Sequence, residues 1–278
     1  MDQKLTAPLV RAPTFRSLID SGRPLIGSTC AIPSAHSVEL MSRQGFDWLF
    51  LDMQHGLIGR DTLVGMVRAA DIAQVPSLVR AAWNRPELVG WVLDAGAQGV
   101  MAPMINSPAD ARAFVSACRY PPAGQRSWGP ARPSLTRPDY APAVGDSDTV
   151  SVALIETRGG FGELEAICDT EGLDLIAVGQ SDLAAAFGLD PRTGRNDKDH
   201  RSRLEVIAAT CAARKMPAFI NCTSADEAAH LIELGFQLIL LDSDVGFLRR
   251  GASAQLGALR RQPALQQGHP TPLCKATD

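Results

Sequence analysis

The residues of this chain best suited to chemistry sit where apolar runs end. Glu156 closes the run VSVALIE, and Asp182 follows LDLIAVG in the stretch Gly179-Gln180-Ser181-Asp182. The two acids are 26 residues apart, about one strand–helix unit. If their runs are neighbouring parallel strands, the ends lie roughly 4.8 Å apart. Two carboxylates there could share one divalent ion and leave positions for waters and a chelating substrate, as Mg²⁺ or Mn²⁺ prefers. A plainer reading pairs Glu156 with Arg158 and makes Asp182 a helix cap. Arg80 ends the run PSLVR. A guanidinium there can bind a carboxylate or a developing enolate oxygen with fixed donors, or it is a surface arginine in a loop. His55 comes three residues after the strand-end Asp52. Its imidazole suits proton transfer near neutrality, and a structural histidine is the alternative. The N–H groups at the helix opening of Ser181 and Asp182 offer an anion site, as they do at every helix start.

Lysine is informative by where it is missing. Only Lys4, Lys198, Lys215 and Lys275 occur, and none falls at the C-terminal end of a strand-like run. A Schiff-base aldolase needs an active-site lysine. Carbanion chemistry here would therefore need a metal as electron sink.

The elements that must position these groups alternate along the chain. Strand-like runs occupy 24–30, 47–52, 76–81, 99–103, 150–156, 173–179, 217–221 and 237–242. They are continuously apolar rather than alternating, which suggests a parallel sheet covered on both faces. Helical patterns fill the gaps, from SAHSVELMSRQG to SADEAAHLIELG. Eight strands with intervening helices predict an α/β fold, a single (β/α)8 TIM barrel spanning 14–261, with chemistry at the C-terminal strand ends. An open doubly wound sheet is the alternative, but no G-x-G-x-x-G follows the first strand. The 121–149 connection holds six prolines and three arginines, and reads as an ordered excursion. Residues 1–13 and 262–278 read as tails.

The bulk properties exclude some partners. With 27 Lys+Arg against 30 Asp+Glu, the net charge of −3 gives no field for nucleic acid or anionic membrane. No apolar run reaches the roughly 20 residues of a membrane span. The opening residues hold acid and base early, unlike an export signal. Cys30, Cys118, Cys168, Cys211, Cys222 and Cys274 form no C-x-x-C, and read as reduced thiols of a cytoplasmic protein.

The stretches GFDWLFLDMQHG, LVRAAWNRP, LDAGAQGVMAPMI, RYPPAGQRSWG, IETRGG and VGQSDLAAAFG together resemble the HpcH/HpaI aldolase family, in order from about residue 15 to about 250. These are metal-dependent class II pyruvate aldolases related to the citrate lyase β subunit. The resemblance implies cleavage of a 4-hydroxy-2-oxo acid to pyruvate and an aldehyde, or the reverse addition. It implies Mg²⁺, Mn²⁺ or Co²⁺ bound by Glu156 and Asp182. Arg80 then contacts the ketone or enolate oxygen, and His55 is the acid/base. The backbone at Gly179, Ser181 and Asp182 holds the substrate carboxylate, with Gln54 beside the metal and its waters. It further implies a homo-oligomer, typically a hexamer with helix exchange between barrels. Asp94 matches an aspartate that supports the histidine. Asp94 ends a helix just before the fourth strand, so it could reach His55 only from a neighbouring subunit. Gln54 and Gln180 depart from the family, where Glu and Pro are usual. The first removes a charge near the metal and the second is expected to loosen its turn.

Two competing readings remain. A lyase of CoA thioesters, of the malyl-CoA or citramalyl-CoA type, would use Arg126, Arg132 and Arg137 against nucleotide phosphates. A barrel that binds a small acid without catalysis is the other. The aldehyde half stays open among acidic, sugar-derived and aromatic candidates, with loops such as 121–140 expected to shape its pocket.

Overall fold

A computed structural model describes residues 13–262. Eight parallel strands close into a barrel in simple sequential order: β1 (Leu25–Cys30), β2 (Trp48–Asp52), β3 (Ser77–Arg80), β4 (Gly99–Ala102), β5 (Val150–Ile155), β6 (Leu175–Val178), β7 (Ala218–Cys222) and β8 (Leu238–Ser243), with β8 pairing back onto β1. Each strand falls within a run read from the sequence, give or take a residue. The segments expected as tails fall outside the described residues, apart from Pro13 and Gln262.

Continuous apolar strands follow from burial on both faces. In β2, Trp48 and Phe50 point into the barrel, while Leu49 and Leu51 face the surrounding helices. The interior is filled by side chains such as Trp48, Phe50, Leu78, Val152, Phe219 and Leu238. It is packed rather than hollow, as in other eight-stranded barrels. Phe15 and Ile19, from the helix Phe15–Asp20, close the N-terminal end.

Local signals start and stop the helices. Ser107 accepts the Asp110 amide before a helix whose first residue is Pro108, and Ser224 accepts the Glu227 amide before Ala225–Leu234. Gly235, at φ +111°, ends the latter in a left-handed turn. Between β5 and β6 lie two short helices, Arg158–Gly162 and Leu164–Cys168, broken at Glu163. The sequence reading lacked Phe15–Asp20 and the 17-residue helix Asp244–Arg260. The longer helix carries no continuous buried stripe: within it only Asp244 is buried, and Leu248, Leu256 and Leu259 are 65%, 47% and 48% exposed. An apolar face left uncovered gives a weak amphipathic signal to a reader seeking burial within one chain.

The 121–149 excursion is ordered, but it lies at the N-terminal end of the barrel. Arg132 pairs at 2.5 Å with Asp71 near the end of the helix Arg60–Ile72, and its amide donates to the Asp94 carbonyl. Below β5, Asp174 gathers Arg16, Arg119 and the amide of Ser151 at 2.7–2.9 Å. The loop is therefore on the face opposite the strand C-termini, and it cannot shape the mouth of its own barrel as expected.

Candidate active site at the barrel mouth

The strand C-termini open into a cleft of about 350 Å³ whose lining includes Asp52, His55, Arg80, Gly179, Ser181 and Asp182. Parallel register explains part of this convergence. Asp52 is the direct Cα partner of Arg80, and Ile155, which precedes Glu156, is the partner of Val178, which precedes Gly179.

Arg80 is gripped from below. Its Nε donates to Asp52 Oδ1 at 2.9 Å and its Nη2 to Oδ2 at 2.5 Å, a two-pronged pairing that fixes the guanidinium plane. Asp52 Oδ1 also accepts the amides of Gln54 and His55, at 2.9 and 3.3 Å. Burial pushes the Asp52 carboxyl up, but Arg80 and these two amides outweigh it and hold it below the usual carboxylate range. Asp52 thus orients the arginine and the turn carrying His55. Sequence reading noted it only as a strand end, because its importance lies in a cross-strand pairing.

Glu156 is almost wholly buried, 2% exposed. Its Oε1 accepts the Met104 amide at 2.8 Å, offered by a residue in the left-handed region at φ +58°. Burial raises the Glu156 proton affinity, the Met104 amide opposes this, and the negative charge of Asp182 adds to it. The two acids therefore lie within electrostatic reach of each other. Neither alternative pairing is present: Arg158 donates to the Ala186 carbonyl, and the helix Gln180–Ala186 is capped at Gly179 without a side-chain bond from Asp182. A side chain at Gly179 would have its Cβ 2.8 Å from both Glu156 Cβ and Oε2. Glycine there makes room for the carboxylate.

The arrangement suits a hard divalent ion. Glu156 has committed one oxygen to Met104 and keeps Oε2 beside Gly179, three residues before Asp182 in the chain. No group of three or more His, Cys, Asp or Glu side chains with ligand geometry occurs among the described residues. Two protein oxygens leave the open coordination positions that a chelating substrate requires.

His55 is exposed on the cleft rim. Gln54 is half-buried outside the cleft lining, and its Oε1 has no hydrogen-bond partner among the described residues. Asp94 is brought to neither His55 nor the cleft. It accepts Arg126 Nη2 at 2.7 Å beside Pro86, Glu87 and Trp91 on the flank of the barrel. Gln180 does not loosen its turn. It is buried, and its Nε2 donates to the Asn221 carbonyl at 2.5 Å, tying the β6 turn to β7. Cys222 also lines the cleft, but burial raises its thiol to about 11, so it is no thiolate nucleophile near neutrality. The described lysines, Lys198 and Lys215, do not line the cleft.

The three arginines considered for nucleotide phosphates are engaged within the chain: Arg126 with Asp94, Arg132 with Asp71, and Arg137 with Asp139 and Asp148. They also belong to the opposite face. Among the described residues no helix is long and apolar enough to cross a membrane, and the five described cysteines are buried free thiols.

The strand C-termini of this closed (β/α)8 barrel bring carboxylates, an arginine and a histidine to one mouth, with no lysine among its described lining residues. The family model described as HpcH/HpaI aldolase/citrate lyase matches residues 31–250, and the chain belongs to that family. It is 34% identical over 246 residues to a 4-hydroxy-2-oxo-heptane-1,7-dioate aldolase of Salmonella dublin, covering 86% of this chain and 92% of the relative. Among solved structures, an HpcH/HpaI aldolase/citrate lyase family protein from Burkholderia cenocepacia superposes with a TM-score of 0.80 at 29% identity, covering 86% of this chain and 95% of that one. The citrate synthase SbnG gives 0.80 at 26%, covering 89% and 98%.

Proposed function

We propose that this protein cleaves a 4-hydroxy-2-oxo acid to pyruvate and an aldehyde, or runs the reverse aldol addition. Glu156 and Asp182 would hold a divalent ion, Mg²⁺, Mn²⁺ or Co²⁺, whose Lewis acidity polarises the 2-oxo acid and gives the developing charge a sink. The backbone at Gly179, Ser181 and Asp182 orients the substrate carboxylate. Arg80, its plane fixed by Asp52, donates to the oxygen that becomes enolate-like as the C3–C4 bond breaks. His55 takes the C4 hydroxyl proton, directly or through a water, and returns a proton in the reverse direction. The observation that carries this reading is the two-pronged Asp52–Arg80 pair sharing one cleft with Asp182, while Glu156 lies buried against the Gly179 that lines it. A preorganised donor in a partly dry mouth is what enolate chemistry demands.

An oligomer forms part of the proposal. Asp94 cannot serve its own His55, and the helix Asp244–Arg260 presents leucines that its own barrel leaves uncovered. Both observations favour barrels that exchange a helix and share active-site residues, in a hexamer or another trimer-based assembly. Relative to this reading, the CoA-thioester alternative loses its arginines to intrachain pairs. The deciding experiment is turnover of a 4-hydroxy-2-oxo acid, followed as pyruvate release, with Mg²⁺ or Mn²⁺ and with excess chelator. Chelation abolishes activity and added metal restores it. Undiminished activity in chelator overturns the metal role. Ligand binding without turnover favours a non-catalytic barrel.

A further inference from the structure

The side of the cleft formed by the neighbouring strands β7, β8 and β1 has a chemistry of its own. Its rim residues include Thr29, Asn221, Thr223, Asp242 and Ser243. These are hydroxyls, an amide and a carboxylate. Among the described lining residues, the one permanent cation is Arg80, and Asp52 already occupies two of its donors. Among the described residues no hydrogen bond engages the Thr29 hydroxyl or the Asn221 side-chain amide, and both line the cleft.

Asp242 anchors this wall. It holds a left-handed backbone at φ +47°, which non-glycine residues adopt only where the surroundings impose it, often at functional sites. Its Oδ1 accepts the Ser243 amide at 2.7 Å, and its Oδ2 is paired with Arg250. A side chain at Gly246 would collide with the carboxylate, so the turn after β8 is packed around it. A carboxylate has about four acceptor positions. Asp242 lines the cleft with its side chain 10% exposed; its Oδ2 is buried against Arg250, which leaves Oδ1, beside the Ser243 amide, as the oxygen that can meet a ligand.

We infer that the aldehyde half of the substrate is neutral and hydroxylated, a short hydroxyaldehyde of the sugar type, held by Asp242, Asn221 and Thr29. This inference rests on the aldol reading above. An acidic aldehyde would bring a second carboxylate to Asp242, whose Arg250 partner is already engaged, and no other cation among the described lining residues is free to receive it. An apolar aldehyde would leave the carboxylate, amide and hydroxyl unpaired. A hydroxylated chain satisfies all three, donating to Asp242 and exchanging hydrogen bonds with Asn221 and Thr29.

The test uses the full chain with saturating Mn²⁺ and pyruvate, and three acceptors: glyceraldehyde, propionaldehyde and succinic semialdehyde. The expected kcat/KM for glyceraldehyde exceeds that for either other acceptor by at least about tenfold. In Asp242→Gly, which tolerates the left-handed backbone and removes the carboxylate from the cleft wall, the ratio of glyceraldehyde to succinic semialdehyde falls at least about fivefold. Asp242→Asn, which also accepts this backbone, guards against a folding defect and lowers the ratio in the same direction. Succinic semialdehyde or propionaldehyde as the equal or better acceptor overturns the inference and leaves the aldolase standing, as does an unchanged ratio in both variants. Turnover of none of the three overturns the aldol reading, and the inference with it.

Discussion

Gly179→Ala isolates one packing requirement of the proposed metal-binding pair, Glu156 and Asp182. The backbone at φ −86°, ψ 83° accepts alanine, so the cost is steric. The new methyl would lie 2.8 Å from Glu156 Cβ and from its Oε2. Carbon atoms rest at about 3.5–4.0 Å, so relief needs a displacement of roughly 0.7 Å or more. Relief must displace Glu156 against the restraint of its Oε1 bond to the Met104 amide, or move the β6 turn away from it. Metal–oxygen distances for Mg²⁺ are about 2.0–2.1 Å and tolerate little error. A shift of this size is therefore expected to weaken the metal at least about tenfold, equivalent to about 1.4 kcal/mol. Crowding of a packed site adds a loss of global stability of about 1–3 kcal/mol. Manganese titration followed by electron paramagnetic resonance reads the affinity, and urea unfolding reads the stability. Activity should recover partly at high Mn²⁺ in Gly179→Ala, and far less in Glu156→Gln, which lacks the charge. A Gly179→Ala protein that binds Mn²⁺ as tightly as the parent refutes the placement of Glu156 as a ligand.

Other perturbations probe separate parts of the site. Arg80→Ala should lower kcat by about 10²–10³ while Mn²⁺ binding survives, as for loss of one preorganised oxyanion donor; normal turnover removes Arg80 from the enolate role. Asp52→Asn should give a smaller kcat loss, about tenfold, by releasing the guanidinium plane, with KM for pyruvate changed less. Borohydride with pyruvate should yield no covalent adduct by mass spectrometry, since no lysine lines the cleft among the described residues. Mixing inactive His55→Ala and Asp94→Ala subunits should restore part of the activity if each site draws on two chains; no recovery after verified subunit exchange confines the site to one chain. Asp174 is raised by burial but held below the ordinary carboxylate range by Arg16, Arg119 and the Ser151 amide. Its folded pKa is thus depressed, so its stabilisation is present above the unfolded value of about 3.9 and lost as pH falls through the folded one. Asp174→Asn should cost about 1.5–3 kcal/mol at pH 7 in urea melts and converge on the parent in acid, whereas a gap constant with pH contradicts the ion-pair origin.

The chain by itself determined the barrel. A strand buried on both faces must be apolar at every position, so runs such as LDLIAV and QLILLD stood out against the helical period between them. It also marked Arg80, Glu156, Asp182 and His55 as candidates, because chemistry in such barrels collects at strand C-termini, and those positions can be read off once the strands are known. Only the tertiary structure decided the contacts between distant segments. Asp52 gains its meaning from register with Arg80, 28 residues on, and Gly179 from the carboxylate lodged against it. Gln180, read as loosening a turn, bridges to β7, and the arginines of the 121–149 loop are spent on acids at the far end of the barrel. Periodicity is a local property fixed by each element's burial. Which side chains meet depends on strand register and on the direction in which each helix returns the chain, and both are set by closure of the whole barrel.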